Sequence, residues 1–125
     1  MTTVAKVLLN KISQDVAIIA PDATVLEAIA LMASKGIGAI VVVEHEQVVG
    51  IVSERDYTRK IALMARTSQH TTVSEIMTSK VITVGRSHRV DQCLELMTDK
   101  HLRHLPVVED GKLIGLISIG DLVKA

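Results

Sequence analysis

The residues best suited to chemistry occur twice. The string Gly-x-x-Ser-x-x-Asp appears as Gly50-Ile-Val-Ser53-Glu-Arg-Asp56 and again as Gly115-Leu-Ile-Ser118-Ile-Gly-Asp121. In both places an apolar run ends at the Ser and a helix is predicted to begin. A helix start offers unpaired N–H groups and a potential that favours anions, so a phosphate can settle there. The Ser hydroxyl adds one more donor to such a group. The Asp carboxylate, one turn further on, can accept hydrogen bonds from two adjacent hydroxyls, as a ribose diol presents them. Ser-x-x-Asp is also close to a capping box, in which each side chain satisfies the other residue's backbone N–H. Two copies in register fit either role, because a duplication preserves caps as well as sites.

The other reactive residue types form no comparable set. Arg55 stands beside Asp56 and can donate to phosphate as a fork, whereas Gly120 holds the equivalent place beside Asp121. Gly36-Ile-Gly38 lacks the third glycine and the preceding strand of a dinucleotide fingerprint. His101 and His104 lie at i and i+3 but without the Cys or carboxylate neighbours of a metal site, so no metal is expected. Cys93 falls on an apolar helix face and reads as a core thiol. His45, His70 and His88 fall in predicted turns or the linker. No Ser-His-Asp set and no carboxylate pair can be assembled, so no catalytic residue and no enzymatic activity are expected.

Composition narrows the ligands and partners. The 125 residues carry 14 Lys plus Arg and 14 Asp plus Glu, a formal net charge of zero, which argues against a nucleic-acid partner. The longest apolar run covers residues 28–33, six residues, against the roughly 20 that a membrane span needs. No signal peptide is visible at the start. Cys93 is the only cysteine, so no internal disulfide can form, and a reducing compartment, most simply the cytoplasm, is expected. There is no Trp, no Phe and one Tyr, so stacking platforms for single-stranded nucleic acid are absent. A planar ligand would lie between aliphatic side chains.

The elements that must position the two motifs are themselves duplicated. Residues 15–60 lie over residues 80–125 without a gap, at an offset of 65, with eleven identities in 46 pairs. The leaders Thr3-Val-Ala-Lys-Val and Thr72-Val-Ser-Glu-Ile match at an offset of 69, so the first copy has four extra residues near Ile12 to Asp15. Each copy reads as strand, helix, strand, strand, helix. The opening strands are predicted over Val16–Ile19 and Val81–Val84. The first helices carry apolar residues at Val25, Ala28, Ile29 and Met32, and at Val90, Cys93, Leu94 and Met97, one face in each case. Hairpins follow, 39–43 with 48–52 and 105–108 with 113–117, the second around Asp110-Gly111. The last helices begin near Ser53 and Ser118, and 62–65 are predicted to continue the first of them. A copy of about 50 residues cannot bury enough surface to be comfortable alone. The physical default is a pseudo-symmetric pair with two equivalent clefts.

In order, spacing and duplication these segments resemble a tandem pair of CBS (cystathionine-β-synthase) domains, a Bateman module, over nearly the whole chain. The resemblance rests on Ile40-Val-Val-Val-Glu44 followed by Gly50 to Asp56, and on Leu105-Pro-Val-Val-Glu109-Asp-Gly111 followed by Gly115 to Asp121. Glu75-Ile-Met77-Thr-Ser-Lys-Val81 also matches the usual opening of a copy. It implies an α/β (α+β) fold of two β-α-β-β-α repeats packed sheet to sheet, repeat 1 over 1–66 and repeat 2 over 67–125. It further implies that the clefts bind adenosine-containing nucleotides: AMP, ADP, ATP, NAD or S-adenosylmethionine. By the same resemblance Asp56 and Asp121 hold ribose, with Ser53 and Ser118 near phosphate. Adenine would lie against Thr78, Lys80, Val81, His104, Leu105 and Pro106 in the Asp56 cleft, and against Val16, Ala17, Ala39 and Ile40 in the Asp121 cleft. Arg55, Lys80, Arg103 and His104 are candidates to gather around one phosphate, though each also fits a solvated surface charge. The first copy departs from the pattern by its extra residues, by Val41 in place of a Pro and by lacking a turn glycine, so the two clefts are expected to differ.

The expected function is a regulatory sensor that binds an adenine nucleotide and signals occupancy to another protein, as a homodimer. Two other classes remain: a structural dimerisation or adaptor module that binds no nucleotide, and a nucleotide hydrolase, for which no base or metal set is identifiable.

Overall fold

The computed structural model describes residues 2–11 and 16–125. The extra residues of the first copy, near Ile12 to Asp15, lie outside the described residues. The longest helices form where the apolar spacing predicts them. In α2 (Val25–Lys35), Thr24 caps the start by accepting the Glu27 N–H at 3.1 Å, and Gly36 ends the helix at φ 62°. Its counterpart α5 (Val90–Lys100) ends at His101, which takes φ 56° without being a glycine. Val25, Ala28 and Met32 point into one core, Cys93 and Met97 into another.

Strands β2 (Ala39–Glu44) and β3 (Gln47–Ser53) pair antiparallel, as do β4 (His104–Glu109) and β5 (Lys112–Ser118). Both hairpins close with two residues in the left-handed region, His45 and Glu46 at φ 51° and 65°, Asp110 and Gly111 at φ 51° and 76°. The first turn therefore forms without its glycine. Both hairpins carry an irregularity at the same place, Val42/Val43 and Val107/Val108.

The opening strands are shorter than predicted. β1 is only Ile18–Ile19, parallel to β2 with Ile18 opposite Val41. In the second copy the strand shrinks to one residue, Val84, bridged in parallel to Val107. Proline supplies the reason. The Val41 N–H donates to Ala17 O at 3.4 Å, but the equivalent residue is Pro106, which has no N–H to donate. The predicted helical continuation also stops early. After α3 (Glu54–Tyr57) a π-helical turn runs from Thr58 to Ala62, and Ala65 then takes φ 55°. The second copy ends in α6 (Ile119–Val123).

The leaders form two short helices, α1 (Val4–Asn10) and α4 (Val73–Ile76). Each docks onto the other copy. Val4 and Ala5 N–H bond His88 and Arg86 O at 2.8 and 3.1 Å, while Val73 and Ser74 N–H bond Ala23 and Pro21 O at 2.8 and 2.9 Å. The described chain accordingly divides into one compact unit of 1–16 with 82–125 and another of 17–81. These packing units are cut elsewhere than the repeats expected from the sequence over 1–66 and 67–125. In the first unit Val4 and Val7 complete a core with Val84, Cys93, Met97, Leu105, Val107, Ile117 and Leu122. In the second, Val73 and Ile76 do the same for Val25, Ala28, Met32, Ile40, Val42, Val52 and Ile61.

The motif glycines make room for these leaders. A Cβ on Gly50 would collide with the Met77 side chain and come within 3.2 Å of Thr78 O. A Cβ on Gly115 would come within 2.6 Å of Leu8 Cδ2. Leu8 and Met77 are equivalent at the leader offset of 69, so both copies meet the same close approach.

Candidate functional site

Each motif sits where a hairpin strand turns into a short helix. β3 delivers Ser53 to the start of α3, and β5 delivers Ser118 to the start of α6. Ser53 Oγ accepts the Asp56 N–H at 3.1 Å, and Asp56 Oδ2 accepts the Ser53 N–H at 2.9 Å and its hydroxyl at 3.1 Å. At the other motif Ser118 Oγ accepts the Asp121 N–H at 3.1 Å, and Asp121 Oδ2 accepts the Ser118 N–H at 2.8 Å. Both capping boxes are therefore complete.

This changes what the helix starts can offer. Glu54 N–H bonds Gly38 O at 3.0 Å, and Ile119 N–H bonds Arg103 O at 2.9 Å. Three of the first four N–H groups of each helix thus have protein acceptors, leaving Arg55 N–H and Gly120 N–H from the set. The row of unpaired donors expected for a phosphate is largely consumed by the caps.

Each carboxylate also meets a lysine that sequence reasoning missed. Lys60 Nζ lies 3.2 Å from Asp56 Oδ1 and donates to Ile76 O at 2.7 Å. Lys11 Nζ lies 3.0 Å from Asp121 Oδ2 and donates to Leu116 O at 2.6 Å. The signal for Lys60 was its i, i+4 spacing from Asp56. The signal for Lys11 was its equivalence to the candidate Lys80 at the leader offset. Both Asp side chains are mostly enclosed, 16% exposed at Asp56 and 23% at Asp121. At Asp121 burial pushes the carboxyl pKa up. The Ser118 N–H, the Lys11 hydrogen bond and charge, and the Ser118 hydroxyl together outweigh it and hold the group below its ordinary value.

The remaining candidates fall into the two units. In the unit of 17–81, Thr78 exchanges hydrogen bonds with Ile51 at 2.9 and 3.0 Å, which lays residues 77–78 along β3 next to the motif. Lys80 and Arg55 are exposed, and Ala17 and Val81 half-buried. Ala39 stands opposite Ser53 across the hairpin and is buried. Ile40 is in the core. In the other unit, His104 stands opposite Ser118, Arg103 is exposed, Pro106 is buried, Leu105 is in the core and Val16 is half-buried. The structure thus brings Ala39 to Ser53 and His104 to Ser118, each within its own unit.

Among the described residues no three His, Cys, Asp or Glu side chains gather as a metal site. Cys93 is fully buried, and burial, aided by the charge of Asp91, pushes its thiol pKa up, the opposite of an activated nucleophile. Among the described residues no helix is long and apolar enough to cross a membrane.

Comparison with known proteins agrees with this architecture. The CBS domain family model matches residues 4–63 and 73–125. The CBS domain-containing protein CBSX3, mitochondrial, of Arabidopsis thaliana is 45% identical over 109 residues, covering 83% of this chain. The chain spans 53% of that relative's length. A solved structure of a Burkholderia ambifaria protein with CBS domains is 52% identical, covers 98% of this chain and 92% of its own, and superposes with a TM-score of 0.95. The CBS domain pair of the protein MJ0100, solved in complex with 5′-methylthioadenosine and S-adenosylmethionine, has the same fold at 24% identity. Its TM-score is 0.85, and the match covers 99% of this chain and 94% of that one.

Proposed function

The chain belongs to the CBS domain family, and from that premise we propose that it is a regulatory pair that binds an adenosine-containing nucleotide and signals its occupancy to a partner protein. The observation that carries the proposal is the repeated, mostly enclosed carboxylate. Asp56 and Asp121 sit in matching capping boxes, held rigidly and yet still reached by solvent. A carboxylate fixed in that way is prepared to accept both hydroxyls of a ribose. The adenosine ligands of the MJ0100 pair support the same ligand class.

In this proposal Asp56 and Asp121 grip ribose, and Ser53 and Ser118 fix the carboxylates. Arg55, Lys80, Arg103 and His104 supply positive charge or donors for phosphate. Val16, Ala17, Ala39, Ile40, Thr78, Val81, Leu105 and Pro106 supply aliphatic surface and main-chain groups for the base. The ligand is AMP, ADP, ATP or NAD in type, with no metal and no reaction. Nucleotide binding favours one packing of the chain over another, and the partner reads the difference. A homodimer, a cytoplasmic setting and the absence of a nucleic-acid or membrane partner complete the proposal.

Calorimetry with AMP, ATP and NAD tests it. At least one should bind, and Asp56→Ala should abolish one of the sites while the circular dichroism spectrum is retained. Flat titrations with all three nucleotides would sink the proposal. They would favour a structural dimerisation module, for which the complete capping boxes already account for both Ser and both Asp residues.

A further inference from the structure

We infer that Lys11 and Lys60 make the two sites selective for phosphate-bearing adenosine ligands over neutral or cationic ones. The inference rests on the adenosine proposal above and adds the charge of the ligand.

The two lysines reach the same place from unrelated positions. The residue equivalent to Lys60 in the second copy is Ala125, and the residue equivalent to Lys11 is the exposed Lys80. Duplication therefore did not copy this contact from one site to the other. Yet in each unit one ammonium sits 3.0 to 3.2 Å from the motif carboxylate and holds a single main-chain carbonyl, Leu116 O or Ile76 O.

Three consequences follow for a ligand. First, the carboxylate is locally neutralised, so a sulfonium or other cation gains little from approaching it. Second, phosphate cannot rely on the helix starts, since three of the first four N–H groups of α3 and α6 are engaged. A side-chain cation must take the charge. Third, an ammonium carries three donors on a flexible four-carbon stem. With one donor kept on its carbonyl, each lysine can turn another from the carboxylate to a phosphate; at Asp56 this frees Oδ1 for the ribose, and at Asp121 it relieves Oδ2, which keeps the Ser118 N–H. The lysine side chains remain 28% and 44% exposed, which leaves them reachable.

The test is calorimetry on the full chain with AMP, adenosine and S-adenosylmethionine, for the wild type, Lys11→Met, Lys60→Met and the two Lys→Arg variants. The wild type should bind AMP roughly tenfold or more tightly than adenosine, with S-adenosylmethionine no tighter than adenosine. Each Met variant should lose AMP affinity at its own site by roughly ten- to hundredfold while adenosine affinity holds. Each Arg variant should keep the AMP preference. A lysine that merely ties the leader to its unit would weaken AMP and adenosine alike, and that result overturns the inference. So does a wild type that binds adenosine as tightly as AMP, a measurement that needs no variant to fold. If the wild type binds none of these three ligands and neither ATP nor NAD, it is the adenosine proposal itself that fails.

Discussion

At the level of single residues, Ser and Asp do two jobs at once. Their side chains complete the caps of α3 and α6, and the same bonds aim the carboxylates. Ser118→Ala should therefore cost about 1 kcal/mol in urea denaturation, the usual loss of a cap, before any effect on binding. Asp121 adds a pH dependence of known sign. Its folded pKa lies below the ordinary value, so its stabilisation is present above about pH 4 and is lost as pH falls through the folded value. The stability difference between wild type and Asp121→Asn should shrink on acidification below about pH 4; a difference that stays constant to pH 2 would contradict this. The Ser and Asp positions were legible in the sequence because caps are local, three residues apart. Lys60 was missed although its i, i+4 spacing from Asp56 is just as local. Lys11 had only its equivalence to Lys80 as a signal, because its partner Asp121 is 110 residues away and the docking of α1 brings them together.

Among the elements, the hairpin turns and motif glycines separate what pattern reveals from what packing requires. The turn at Asp110-Gly111 was signalled by its glycine, but His45-Glu46 adopts the same backbone without one. Glu46 at φ 65° holds a conformation costly for an L residue. Glu46→Gly should therefore raise stability by roughly 0.5–1 kcal/mol, read as a higher urea midpoint at unchanged slope. The glycines of the two motifs should respond unequally to alanine. At Gly50 the obstacle includes the main-chain oxygen of Thr78, which cannot turn aside, so a loss of about 1–3 kcal/mol is expected. At Gly115 the obstacle is the end of the Leu8 side chain, which can rotate, so the loss should be smaller. Equal melting shifts for the two variants would count against the close approach of the leaders. Pro106 offers the converse lesson. It fitted the family pattern, and its missing N–H is also what leaves Val84 as a single bridge where β1 has two residues.

In the whole molecule, the duplication and the packing follow different boundaries. Each core is finished by a leader helix that the sequence attaches to the other copy, Val4 and Val7 in one, Val73 and Ile76 in the other. Removal of residues 1–11 should therefore raise amide exchange chiefly in 82–125 rather than in 17–81, the copy next to the cut. Protection lost first from 17–81 would refute the exchange of leaders. By itself the sequence determined the mixed α/β class, the order of the elements, the family and the identity of the repeated Ser and Asp residues. These are set by periodicities and spacings of a few residues, which a chain displays without folding. Only the tertiary structure decided that the leaders cross over, that Gly38 O and Arg103 O take the first N–H of α3 and α6, and that Lys11 reaches Asp121. Those outcomes depend on contacts between residues far apart in the chain, which come together only when apolar surface is buried.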